Sequence, residues 1–380
     1  MSHLSELFAL ALRPLLRVES LGDRRPIDEQ LLLEADHQGL APLLAFSLRN
    51  QAALPPRIEA ELKTRWRQAE GRWLLATNSL HAVLGAFRRS GLSVIPLKGP
   101  LLARELYPDQ VIRPTSDLDL LIRRDDIERA DTLLRKMGYR RAPDAHSWEF
   151  DVTYDQATFY VHEELLPVDL HWELLSSPSF RRSSRIDSDE IWARAVEVVF
   201  DDTPRLALSH EDLLLYLALH LAVHHAFSGV IWQLDIALAL HCYGDKLDWD
   251  ALLARAVRWR VARPLFFVLE MIKERYRLRL PSERLMELRP RGIRARLMSS
   301  LLRRGRLGPL DHLIPLLLVE RAMDLAGPLL DGIAPCPEWV RARYGSEGAR
   351  LWRCYGRHWK RLGEVAGRLG KGLAKRDAIN

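Results

Sequence analysis

Apolar residues recur every three or four positions up to about residue 90, the spacing of helices that bury one face. That period predicts helices in "HLSELFALALRPLL", "DEQLLLEADHQGLAPLLAFSLRN" and "RIEAELKTRWRQAEGRWLLATNSLHAVLGAFRRSG". Pro55 and Pro56 separate the last two, and Gly91 marks a stop. From Leu92 the pattern shortens. "LSVIPLK" reads as a strand, "GPLLARELY" as a helix opening at a glycine, and "SDLDLLI" as a second strand. "DDIERADTLLRKMGY" is an amphipathic helix closed by Gly138, and "SWEFDVTY", "ATFYVHE" and "LPVDLHWEL" read as three further strands. The coarse order is β-α-β-α-β-β-β.

From about residue 186 the helical period returns. "SHEDLLLYLALHLAVHHAF" opens on a capping signature at Ser209, and "VIWQLDIALALHCYG", "DWDALLARAVRWRV" and "RPLFFVLEMIKERYRL" continue it. The pattern therefore predicts an α+β chain in three parts. Residues 1–90 form a helical N-terminal region, 91–185 a small α/β core with a mixed sheet, and 186–380 a helical C-terminal region.

Composition narrows this only slightly. With 48% hydrophobic and 28% charged residues the chain reads as a globular protein, and its longest apolar runs are too short to span a bilayer. Those short runs imply no membrane partner, and three widely spaced cysteines, Cys242, Cys336 and Cys354, without metal-ligand spacing point to a reducing, cytoplasmic setting. The net charge of +6 suits phosphate-bearing ligands without choosing among them.

The chemistry concentrates in "IPLKGPLLARELYPDQVIRPTSDLDLLI". Asp117 and Asp119 interrupt an apolar run, and a buried unpaired carboxylate is costly. Two residues apart in a strand, they share a face roughly 6.5–7 Å apart, while Leu118, Leu120 and Ile122 face the core. Carboxylates so placed can grip magnesium or manganese. Asp169, between Val168 and Leu170, is a third acid among apolar neighbours. If its strand lies beside the first, the three can hold metal ions for phosphoryl-type transfer. "KGP", between a strand and a helix, suits phosphate at a helix N-terminus. The plainer reading makes all three surface or turn acids. The apolar surroundings, the glycine turn and the third acid weigh against it.

These residues resemble the nucleotidyltransferase superfamily, with its polymerase-β-like palm fold. The matching parts are Leu97-Lys98-Gly99, then Asp117-Leu118-Asp119, then Asp169. More narrowly, "LKGPLLARELYPDQVIRPTSDLDLLI" with "VDLHWEL" is similar to a bacterial branch of nucleotidyltransferases, and "LHLAVHHAFSGVIWQLDIALAL" resembles its helical half. The resemblance covers roughly residues 75 to 275. It implies a metal held by Asp117, Asp119 and Asp169, a nucleoside triphosphate (NTP) donor and an acceptor hydroxyl on a small molecule, peptide or protein. It implies triphosphate contacts from Lys98, Gly99, Arg113 and Ser116, with Arg113 steadying pyrophosphate. Two departures stand out. Pro100 follows Gly99 where the superfamily usually has an amide donor, and the interval from Gly99 to Asp117 is long. They leave open a catalytically silent nucleotide-binding module.

Other residues carry two readings each. His220 and His224 share a helix face at zinc spacing but lack the glutamate and a third ligand, so packing is favoured over metal. Asp235 could pair with one of them, and His171 shares the strand face of Asp169. The arginine-dense region 273–306 reads as a solvated face or a nucleic-acid track, the latter implying an RNA-directed transferase. Trp339, Tyr344, Trp352, Tyr355 and Trp359 read as helix packing or base stacking.

Overall fold

A computed structural model of the chain describes residues 28–49, 54–142, 148–154, 157–175, 180, 183–303, 314–325, 330, 332–345 and 350–377. The helix expected over "HLSELFALALRPLL" lies outside them. Helix α1 (Glu29–His37) is capped by Asp28, whose carboxylate accepts from the Leu31 amide at 2.9 Å. Gly39, at φ +68°, then turns the chain into α2 (Ala41–Leu48), so one expected helix is two. Helix α3 (Pro56–Arg89) is 34 residues long and serves two cores. Ile58 and Leu62 join the helical core, whereas Leu80, Val83, Leu84 and Phe87 lie in the core beneath the sheet.

The sheet is built from β1 (Val94–Pro96), β2 (Leu118–Ile122), β3 (Arg140–Arg141), β4 (Ala157–Val161) and β5 (Val168–His171), in the order β1-β2-β5-β4-β3. Only the β2–β5 pair is parallel. Helix α4 (Pro100–Leu106) follows β1 and α5 (Ile127–Lys136) follows β2. One face of β2 puts Leu118, Leu120 and Ile122 into the core beneath the sheet. Each such side chain contributes about 1.5–3 kcal/mol when fully buried. The other face carries Asp119 beside Leu121, which packs in the helical core.

Two expectations need correction. "SWEFDVTY" alternates like a strand but forms helix α6 (Trp148–Tyr154). Trp148 and Val152, one helical turn apart, pack against the core beneath the sheet, while Phe150 meets Trp339 at 6.3 Å between ring centres. Buried Asp151 pairs with Arg141 and accepts from Thr158 Oγ1 at 3.0 Å. The segment after 186 is not all helix. Following α7 (Ser188–Arg194), a hairpin of β6 (Val196–Phe200) and β7 (Thr203–Ala207) packs beside β1. Asp201 and Asp202 make its two-residue turn at φ +47° and +57°, which short polar side chains tolerate.

Helix α8 (His210–Leu219) is capped by Ser209, which accepts from the Asp212 amide at 3.2 Å. A π-turn, His220–His224, follows, then α9 (Val230–Tyr243). Both α8 and α9 are apolar nearly all round and buried accordingly. Helices α10 (Trp249–Arg258), α11 (Ala262–Tyr276), α12 (Ser282–Glu287), α13 (Ile293–Arg303), α14 (Ile314–Leu318), α15 (Pro337–Tyr344) and α16 (Leu351–Asp377) complete the lobe. Several of the clustered arginines serve packing. Arg294 donates to the carbonyls of Val319 at 2.8 Å and Glu320 at 3.2 Å, and Arg275 to Gln233 Oε1 at 2.6 Å. Among the described residues no helix is long and apolar enough to cross a membrane.

Two glycines separate backbone strain from crowding. A Cβ on Gly91 (φ +65°) would meet nothing within 4 Å, whereas one on Gly229 (φ +88°) would lie 2.0 Å from the Trp232 ring. Gly91→Ala should cost about 1–2 kcal/mol, and Gly229→Ala a further 1–3 kcal/mol or so for overpacking. Urea unfolding of the two variants checks that order.

Candidate active site

The Leu97 amide donates to Asp119 O at 2.9 Å, and the chain then leaves β1 through Lys98 and Gly99. Gly99 adopts φ +76°, and a Cβ there would sit 3.5 Å from Thr115 Cγ2 and 3.9 Å from Asp117 O. Helix α4 starts at once with Pro100, which offers no N–H. Any phosphate contact at this bend must come from side chains or other amides.

The parallel pairing of β2 with β5 sets Asp119 opposite Asp169 and Leu121 opposite His171. The two acids and the imidazole therefore share one face. Lys98 Nζ lies 2.9 Å from Asp119 Oδ1. His171 Nε2 lies 3.0 Å from Asp169 Oδ2 and 3.6 Å from Asp119 Oδ1. Neither ring nitrogen of His171 completes a well-aligned hydrogen bond, so the attraction is chiefly between charges. Burial works against charge on both partners, but the ion pairing wins. His171 is raised to about 10 by Asp169 and Asp119, and Asp119 is held at about 2 by His171 and Lys98.

Asp117 stands one residue before the strand, half-buried, and accepts from Ser116 Oγ at 3.0 Å. Its carboxyl is pushed up, first by burial and then by the charge of Asp119. Ligand atoms of Asp119, Asp169 and His171 lie within 4.8 Å of one another, a group that could hold a metal ion once the imidazole gives up its proton. Asp117 is outside that tight group although it feels its charge. Three carboxylates close together, Asp119 buried and Asp117 and Asp169 half-buried, suit a hard divalent cation.

Arg113 does something else. Its guanidinium grips Asp235 on α9 with two bonds of 2.9 Å, and Tyr107 Oη donates to the same carboxylate at 2.6 Å. Arg113 and Asp235 are both buried, at 6% and 0% exposure. The guanidinium expected to steady pyrophosphate is thus placed in an ion pair across the fold. Asp235 pairs with this arginine rather than with a histidine. The sequence signal was an acid inside the apolar run "WQLDIALAL", together with an arginine after Tyr-Pro.

The family model described as uncharacterised nucleotidyltransferase matches residues 26–277, more than half of the chain. The chain belongs to this family. The resemblance seen in "LKG", "SDLDLLI" and "VDLHWEL" is thereby borne out. No curated protein matches the chain in sequence. Among similar solved structures, ANT(2")-Ia in complex with adenylyl-2"-tobramycin is 15% identical at a TM-score of 0.34, covering 47% of this chain and 96% of its own. The lincosamide antibiotic adenylyltransferase LnuA, lincomycin-bound, is 17% identical at 0.31, covering 43% of this chain and 96% of its own. A solution structure of ANT(2")-Ia is 13% identical at 0.33, covering 53% and 92% respectively. Likenesses this loose transfer no acceptor.

In this nucleotidyltransferase the first histidine of "HLAVHH" faces a lysine. His220 Nε2 lies 2.9 Å from the Lys98 ammonium, and among the described residues no metal-capable group includes His220, His224 or His225. Lys98 is therefore bracketed by Asp119 from the sheet and His220 from the helical lobe, a contact that sequence spacing did not reveal.

Breaking the Arg113–Asp235 pair leaves a buried charge without its partner. Asp235→Ala should destabilise the fold by about 3–5 kcal/mol, and Tyr107→Phe by about 1.5–3 kcal/mol. Denaturant melts report both. A loss below about 1 kcal/mol in Asp235→Ala would contradict the role given to the pair.

Proposed function

We propose that the chain transfers a nucleoside monophosphate from an NTP to a hydroxyl of a small molecule, peptide or protein, releasing pyrophosphate. The observation that carries this reading is the in-register placement of Asp119 beside Asp169 on the face that also receives Lys98. Asp119 and Asp169, with Asp117 at the rim, would hold the cation. Magnesium or manganese bound there would neutralise phosphate charge and make the acceptor hydroxyl easier to deprotonate.

The chain's own groups then divide the remaining work. Lys98, 2.9 Å from Asp119, offers an ammonium to the phosphates beside the Gly99 bend. Ser116, exposed and already hydrogen-bonded to Asp117, can orient that carboxylate or donate to a phosphate oxygen. Where no cation is bound, the His171 imidazole beside Asp119 and Asp169 lowers their mutual repulsion. The buried sheet face and the helical lobe fix these groups before substrate arrives, the kind of preorganisation on which electrostatic catalysis depends.

A second reading, a silent nucleotide-binding module, draws on Pro100, which removes an amide donor at the bend. Labelling decides between them. Wild-type protein incubated with α-labelled NTPs, magnesium or manganese and extract of the source cell should yield a labelled product. Asp119→Asn and Asp169→Asn should reduce it by about 10²–10³-fold with an unchanged circular dichroism spectrum. NTP binding without product in every extract would favour the silent module. Full activity in Asp119→Asn would sink the transfer mechanism.

A further inference from the structure

The nucleotidyltransferase reading leaves unexplained why a π-turn interrupts the helical run at His220–His224. In an α-helix a residue five positions on lies about 140° around the axis. Here the His225 amide donates to the His220 carbonyl, five residues back, at 3.3 Å, and the wider turn brings His225 round to the side of His220. Their ring centres are 4.5 Å apart. His225 in turn lies flat on Trp232 at 3.3 Å, and Trp232 fits only because Gly229 has no Cβ. Gly229, Trp232 and His225 thus form a packed stack behind His220.

The front of His220 meets Lys98. An ammonium only donates, so at 2.9 Å the His220 Nε2 must be the acceptor and its proton must sit on Nδ1. The neutral ring agrees with its surroundings. Burial first, then the Lys98 charge, push His220 well below the usual histidine range. Lys98 therefore forms an ion pair with Asp119 and a hydrogen bond to His220, and a three-donor ammonium so held can still offer an N–H to a ligand.

We infer that His220 is a positioning residue for nucleotide binding: from the helical lobe, through a hydrogen bond accepted at Nε2, it sets where the Lys98 ammonium meets the phosphates. This rests on the nucleotidyltransferase reading of the acid cluster, since it takes Lys98 as a phosphate contact. It assigns a task to the π-turn. The turn sets His225, backed by Trp232, beside His220, which stands as a neutral acceptor for the cation at the sheet, so the lobe shapes the phosphate site without touching substrate.

The test is a double-mutant cycle read by binding, with the full-length protein, magnesium and α,β-methylene-ATP, which cannot undergo transfer. Calorimetry should show Lys98→Ala and His220→Ala each weakening affinity about tenfold, with the double variant no weaker than Lys98→Ala. His220→Gln, whose amide oxygen can still accept, should return to within about threefold of wild type. Losses that multiply in the double variant, or His220→Gln as weak as His220→Ala, would mean that His220 only packs. Lys98→Ala binding like wild type would overturn the phosphate role of Lys98 and this inference with it. Absence of wild-type binding to the α,β-methylene analogues of all four NTPs would overturn the nucleotide reading itself.

Discussion

A single parallel strand pairing governs the chemistry of this protein. Because β2 and β5 run together with Asp119 opposite Asp169, two carboxylates are forced side by side in a half-buried cleft. Such a pair repels itself and resists desolvation. The surrounding groups answer that cost. Lys98 stands at 2.9 Å from Asp119, and His171 lies between the two acids as a cation. The carboxyl of Asp117 at the rim is pushed up, first by burial and then by the charge of Asp119.

The helical lobe bears on that cleft through two polar links of different kinds. The Tyr107–Arg113–Asp235 cluster is closed, with its donors and acceptors turned inward and away from water. It fastens the segment between α4 and β2 to α9. The Lys98–His220 contact is the open counterpart, a donor shared between lobe and sheet at the edge of the site. Around both, α3 contributes side chains to the helical core and to the core beneath the sheet, so one long helix braces the two.

Much of this was legible along the chain. The strands "LSVIPLK", "SDLDLLI" and "ATFYVHE" announced themselves by short apolar runs between breaks, and the glycine stops at Gly91 and Gly138 fell where the helices end. "SWEFDVTY" misled because its alternation describes strand burial and a short helix packed on two sides equally well. The β6–β7 hairpin was overlooked because Asp201-Asp202 lacks the usual glycine, although β-branched "VEVVF" before it was a signal. Arg113 misled for another reason. An arginine's charge can be read from its letter, but its partner 122 residues away cannot.

Sequence by itself determined the strand-and-helix alternation of the central unit as far as Gly138, the glycine bend at Gly99, the shared face of Asp169 and His171, and membership of a nucleotidyltransferase family. These follow from local periodicity, from the steric freedom of glycine and from a motif whose parts lie close in the chain. Only the tertiary structure decided the remainder: that Asp119 meets Asp169, that Arg113 pairs with Asp235, and that His220, where a π-turn begins, meets Lys98. Those contacts join residues 50 to 122 positions apart in the chain, counting from 119 to 169 and from 98 to 220. Strand order and helix packing bring them together, and neither is written in the period of any one segment.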